Sequence, residues 1–345
     1  MKTSSLFLFI TATIMFGCSK KENAVLSPET SCRLSKASLI SSGGGYTSYT
    51  SNSVIEYNPQ GQMFRSTEES KMIDATGGEK NVKTTSIYDY DSEGFVKGEK
   101  QNATDDDPKR TETSSLSSQF KYNGDRLSEE MSTTIFDYYY KGTGLTESYT
   151  YSKTVNYEYD GSGKLTRLTE LTNSTRGGNS TSRYYYSGGK LSRVTYQIGN
   201  GPEEDDYTVT DGKIVQRKSG GDATIYKYDS QDRLVRTEYW NAGKLTSFIE
   251  QNYDNQIAPL ETSPQLFFKG WPKQKTIRGE YGNTSNNIIN MRQTSVESGA
   301  SVELASYAFQ YEFNKKGIPV KAKLMGTVQG KPYSAEYVYE YIDCD

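Results

Sequence analysis

Carboxylates are the groups in this chain best able to do chemistry, and they come in two bursts: Asp105, Asp106 and Asp107, then Glu203, Glu204, Asp205 and Asp206. Clustered oxygens suit a hard cation such as Ca²⁺, and two carboxyls at the right separation can serve as acid and base in glycoside cleavage. Neither burst has calcium-loop spacing, and a solvated acidic loop is the plainer reading of both. His is absent from all 345 residues. That excludes Ser–His and Cys–His nucleophile pairs, imidazole bases and His-bound metals together. No phosphate-cradling glycine motif follows a strand and opens a helix, so nucleotide chemistry has no support. The expectation is a non-enzymatic protein without cofactor or metal.

A second candidate set is aromatic: Phe267, Phe268, Trp271 and Trp240 as ligand contacts. The first three lie in residues 253–283, which also hold Pro259, Pro264 and Pro272, three of the nine prolines. This stretch reads as an irregular insertion between strands. It either folds inward to plug or cap a wide barrel or stands out as an aromatic lip for ligand capture.

The elements that must position these groups are hairpins. Asn58-Pro59-Gln60-Gly61, Asp91-Ser92-Glu93-Gly94, Asp160-Gly161-Ser162-Gly163, Asp229-Ser230-Gln231-Asp232 and Asn314-Lys315-Lys316-Gly317 share one chemistry. Asp or Asn at the first position bonds its own backbone, and the fourth position calls for positive φ. That describes a type I turn closed by a left-handed bulge residue. Asn123-Gly124, Ser187-Gly188-Gly189 and Asp211-Gly212 are shorter turns of the same class. Looser, Gly-rich and charged connections alternate with these, among them residues 104–109, 173–180 and 199–206. Tight turns therefore gather at one end of a meander and variable loops at the other.

Strand alternation supports this. Tyr307, Phe309, Tyr311 and Phe313 share a face, as do Tyr337, Tyr339 and Tyr341. A Tyr-rich core explains these stripes better than a sugar-stacking platform. The runs predict an all-β, up-and-down antiparallel meander of about 16–20 strands. By parity, the first strand, after Cys32, and the last, before Cys344, are antiparallel with both Cys at one end. Edge-to-edge closure into a barrel or flattened barrel follows, and it removes the edges of an open meander. Cys32 and Cys344 then form a natural disulfide, with free buried thiols as the alternative. The face Leu234, Arg236, Glu238, Trp240 and its opposite, Arg233, Val235, Thr237, Tyr239, are both too polar for lipid. The barrel is expected to be soluble.

The chain also carries an address. Lys2 precedes an apolar run at residues 6–16 and then Gly17-Cys18. The run fits a signal h-region and is too short to span a bilayer. Residues 1–17 read as a lipoprotein signal, Cys18 as the lipidated residue, residues 18–30 as a tether and residues 31–345 as one barrel domain. Net charge is −3, with no footprint for nucleic acid.

Cys32-Arg33-Leu34 opening the domain, and Tyr-Asp-x-x-Gly-Lys-Leu hairpins behind such a signal, resemble an uncharacterised family of Bacteroidota lipoproteins. The resemblance covers residues 30–345 and implies a porin-like fold of unknown function, with no functional residues to carry over. The hairpins are also similar to YD repeats of the RHS class, though their spacing here is less even. The leading expectation is a lipid-anchored protein of the outer membrane, periplasmic or surface-exposed. It would bind a glycan, peptide or protein partner through its loop end. The competing expectation is a carboxylate-based, glycosidase-like hydrolase with its site in the barrel lumen.

Overall fold

The computed structural model describes residues 32–43, 46–205, 207–257, 268–269, 271, 286–297 and 299–344; Cys18, Asp206, Phe267 and the signal and tether segments lie outside them. Among the described residues twenty strands run in chain order. They begin β1 (Arg33–Gly43), β2 (Tyr46–Tyr57), β3 (Met63–Asp74), β4 (Glu79–Tyr90), β5 (Val96–Asp106), β6 (Arg110–Asn123) and β7 (Arg126–Tyr140). There follow β8 (Leu145–Tyr159), β9 (Leu165–Ser174), β10 (Gly178–Ser187), β11 (Lys190–Ile198), β12 (Tyr207–Thr210), β13 (Lys213–Ser219) and β14 (Asp222–Tyr228). The last are β15 (Leu234–Asn241), β16 (Lys244–Ile257), β17 (Asn286–Glu297), β18 (Ala300–Phe313), β19 (Pro319–Val328) and β20 (Lys331–Ile342).

Each strand pairs antiparallel with the next from β1 to β11 and again from β12 to β20. β20 then pairs with β1 through a register running from Arg33↔Ile342 to Gly43↔Tyr333. Across the remaining seam, between β11 and β12, the described residues meet at the isolated bridge Tyr196↔Glu204. The result is a nearly closed barrel. Cys32 and Cys344 are disulfide-bonded beside the β1–β20 closure, 312 residues apart in sequence. The insertion begins later than residue 253: β16 continues to Ile257, because Asp254 accepts the backbone N–H of Asn287 at 3.1 Å and holds the two strand ends together.

The tight turns work as their residues require. Asp91 Oδ1 accepts the N–H groups of Glu93 and Phe95 at 2.9 Å each, and Gly94 takes φ +86°. Asp232, which stands where the other four turns have Gly, also adopts the left-handed conformation, with φ +63°.

The repeated aromatic before each turn has a second function. Neighbouring hairpins stop pairing short of the turn: the β3–β4 ladder ends at Arg65↔Ile87. Tyr90 lies three residues beyond and donates its hydroxyl to the Met63 carbonyl at 2.6 Å. Tyr57, Tyr122 and Tyr159 do the same to Leu34, Val96 and Leu127 at 2.7, 2.8 and 2.8 Å. So do Tyr228, Tyr253, Tyr311 and Tyr341, to Ile214, Leu234, Ile288 and Pro319. A carbonyl released from the ladder needs a donor if it is to stay out of water, and the ring supplies one while filling the interior. Burial pushes the Tyr122 and Tyr159 hydroxyls up to about 12.

The main core lies at this end, uniting Met63, Val96, Leu127, Leu168, Tyr184, Val194 and Ile214 across many strands. A second cluster, Ala305, Tyr307, Leu324 and Ala335, sits inside β18–β20. The outer face instead carries charge pairs such as Lys36–Glu340 (2.8 Å), Lys83–Glu69 (2.5 Å) and Lys121–Glu129 (2.6 Å).

Candidate functional site

The interior changes character along its length. On β6 the inward residues Phe120 and Ser118 are buried, while Leu116, Ser114 and Glu112 are half-buried. β8 repeats this, with Tyr157 and Val155 buried and Lys153, Tyr151 and Tyr149 half-buried. The barrel is thus packed at the tight-turn end and reachable by solvent towards the loop end.

The described residues of the insertion complete the packed end. Phe268 is 7% exposed and meets Tyr88, Tyr90 and Trp271 at ring-centroid distances of 5.4, 6.4 and 5.1 Å. Trp271 packs on Phe120 at 5.3 Å and donates Nε1–H to the Tyr122 hydroxyl at 3.1 Å. Lys269 donates to the Glu93 carbonyl at 2.8 Å. Phe268 and Trp271 are therefore not displayed on a lip. An apolar ring is more stable against the inward Tyr rows of β4 and β6 than in water. Trp240 is elsewhere, on the outer face of β15, where its indole N–H reaches Glu238 at 3.3 Å. Glu238 is buried there under Lys227 and Arg236, at 2.6 and 2.8 Å.

The two acidic bursts are spoken for. Asp105 and Asp106 lie in β5 rather than in a loop, since β5 and β6 stay paired to Asp106↔Thr111. Lys80 meets Asp105 at 2.7 Å and Lys141 meets Asp106 at 2.8 Å. The Lys141 hydrogen bond, then that of Thr111, holds the Asp106 carboxyl below the usual carboxylate range. Asp107 caps the turn by accepting the Lys109 N–H at 2.7 Å. The second burst latches the seam. Glu204 makes the bridge to Tyr196, Arg183 meets Glu203 at 2.9 Å, and Arg193 grips Asp205 through two nitrogens at 2.7 and 3.0 Å. Among the described residues no group of three or more His, Cys, Asp or Glu is arranged to hold a metal.

Two arrangements were invisible to motif reading. The first is inside, where packed floor gives way to open wall. Glu99 of β5 accepts the Tyr88 hydroxyl at 2.9 Å, and Glu130 of β7 is paired with Lys153 at 2.9 Å. Burial raises the Glu99 carboxyl, and the nearby Glu130 charge adds to the rise. An acid that holds its proton more tightly folded than unfolded makes the fold less stable as pH climbs through that window. Glu99→Gln is therefore expected to raise the thermal midpoint at pH 7, with the gain vanishing in acid; a midpoint difference that ignores pH would contradict this.

The second arrangement is at the loop end. β7 and β8 have 15 residues each, but β9 has 10. β8 pairs with β7 up to Leu145, whereas its pairing with β9 stops at Tyr151↔Ser174. The β6–β7–β8 sheet consequently projects beyond β9 as a flange. Its inner face is braced by stacked rings, Phe136–Tyr149 at 4.6 Å and Tyr138–Tyr149 at 5.7 Å. The Arg176 guanidinium, from beyond β9, covers Tyr149 at 4.7 Å.

The outer face of the flange bears a depression of about 490 Å³. Two cross-strand rows form it, Thr111–Tyr139–Thr146 and Thr113–Asp137–Ser148. Hydroxyls dominate, Tyr139 is 47% exposed, and Asp137 meets no cation among the described residues. Such a surface offers hydroxyl donors and acceptors, one free carboxylate and one ring face to a polar ligand.

No protein-family model matches the chain and no curated protein matches it, so the lipoprotein-family and YD-repeat resemblances have no counterpart at family level. Among solved structures, a porin-like protein from Bacteroides uniformis ATCC 8492 aligns over 89% of this chain and 97% of its own at 14% identity, with a TM-score of 0.35.

Proposed function

We propose that this chain is a lipid-anchored envelope protein that binds a polar ligand through the flange at its loop end. The observation that carries the proposal is the depression on β6–β8, where Asp137 and the exposed Tyr139 ring are set among four hydroxyls, with no cation among the described residues to satisfy the carboxylate. The topology supports it as well. Cys32 and the disulfide lie at the tight-turn end, so a tether from Cys18 would direct the flange away from the membrane. Recognition groups on a rigid sheet also lose little entropy on binding.

The test is a screen of the soluble barrel against immobilised glycans and peptides, followed by Asp137→Ala and Tyr139→Ala. Each substitution is expected to weaken capture about tenfold, or 1.4 kcal/mol, without moving the thermal midpoint. Unchanged capture in both variants would refute the flange as the site.

A second reading, a carboxylate hydrolase, rests on Glu99 and Glu130. Burial raises the Glu99 carboxyl, and a raised carboxyl sharing the inner wall with a second one is the pairing glycoside cleavage uses. It differs from the first in requiring release of new reducing ends from a polysaccharide.

A further inference from the structure

The flange has an open strand edge. Thr150 and Thr175 form the last contacts to the β8 backbone from the chain leaving β9: the Thr175 N–H donates to the Thr150 carbonyl, and the Thr150 N–H donates to Thr175 Oγ1, both at 3.1 Å; further along, the Arg176 side chain pairs with Glu147 and covers Tyr149 on the inner face. The backbone groups of Thr150 thus point away from β7. Alternation along an antiparallel strand directs the N–H and C=O of Ser148 and Thr146 the same way. Among the described residues nothing bonds to them. The free stretch, Leu145 to Tyr149, is about 17 Å long at strand rise. It carries no Pro, Lys or bulge to discourage pairing, and Leu145 is 54% exposed.

We infer that this edge takes up an extended peptide as an added strand, with a Lys or Arg of that peptide reaching Asp137. The inference rests on the loop-end reading and names the partner. Ser148 and Thr146 belong both to the edge and to the depression, so one strand laid on the edge would place alternate side chains over the hydroxyl rows. Asp137 lies one strand further in, opposite Ser148, and the small Ser side chain leaves the path to its carboxylate clear. A basic side chain spans most of the roughly 10 Å between alternate strands, and Asp137 has no other cation among the described residues. A second copy of this chain fits less well. The fullest antiparallel pairing of this edge with itself lays Leu145 to Tyr149 on its own equivalent, which brings no Lys or Arg to Asp137.

The test uses the oxidised barrel against a displayed library of random dodecapeptides, with immobilised glycans in parallel. Ser148→Pro removes the outward N–H without breaking a bond to β7, and Ser148→Ala leaves the backbone intact. The selected peptides are expected to carry a basic residue and to bind Ser148→Pro at least about tenfold more weakly, with Ser148→Ala within about twofold. Methylating alternate backbone nitrogens of a selected peptide should abolish binding in one phase and spare it in the other. This arm holds even if Ser148→Pro fails to fold. Asp137→Asn should erase the preference for the basic residue. The inference is overturned by peptides that bind Ser148→Pro undiminished, by equal effects of both methylation phases, or by self-association that Ser148→Pro abolishes. Glycan capture lost in Asp137→Ala, with no peptide selected, overturns the inference and leaves the loop-end reading standing. No capture of either kind overturns both.

Discussion

Phe268→Ala is expected to destabilise the barrel by about 3–5 kcal/mol, the usual cost of truncating a buried phenylalanine. The ring is 7% exposed and touches Tyr88, Tyr90 and Trp271. Its removal leaves a cavity walled by rings held at other heights by their own hydrogen bonds. Tyr90 is fixed to the Met63 carbonyl and Trp271 to Tyr122, so collapse around the void is limited and the cavity cost is retained. Aromatic pairs add about 0.5–1.5 kcal/mol each beyond area. Urea unfolding gives the free energy directly. Trp271 emission, read in a Trp240→Phe background, should shift to the red as the floor loosens. A loss below about 1 kcal/mol would mean that the insertion rests on the floor without supporting it.

The second large effect belongs to the disulfide. Replacing Cys32 and Cys344 together with Ser should cost about 2–5 kcal/mol, because the bond closes nearly the whole domain and long loops lose most entropy when cross-linked. The β1–β20 ladder remains, so the ring is expected to close without the bond, at a lower urea midpoint and with faster amide exchange along Leu34–Ser41. The adjacent Lys36–Glu340 pair is exposed and contributes little by itself. Equal midpoints for the oxidised protein and the double variant would show that strand pairing alone secures the closure.

Part of this architecture was legible from residues because it is local. An Asp or Asn, a short polar pair and a residue that tolerates positive φ specify a hairpin within four positions. Strict alternation then tells which side chains share a face. Parity of the turns put the termini side by side, and the Cys32–Cys344 bond lies there. The Tyr before each turn was legible as core but not as a hydrogen-bond donor, since its acceptor is on the preceding hairpin, at a carbonyl freed only by where the ladder happens to end.

The rest depends on sums over distance. Whether strand ends are level is set by accumulated strand lengths and bulges around the ring, so the bare edge at Thr146 and Ser148 follows from the shortness of β9, not from any motif in β8. Glu99 and Glu130 are 31 positions apart and unremarkable in sequence; they became neighbours because β5, β6 and β7 align in one register. Phe268 reaches β4 from the far side of the chain only because the barrel has closed around it. Turn chemistry and alternation are decided by a few adjacent residues, and the sequence states them. Heights, seams and cross-barrel contacts are decided by how twenty strands stack, and only the folded chain adds that up.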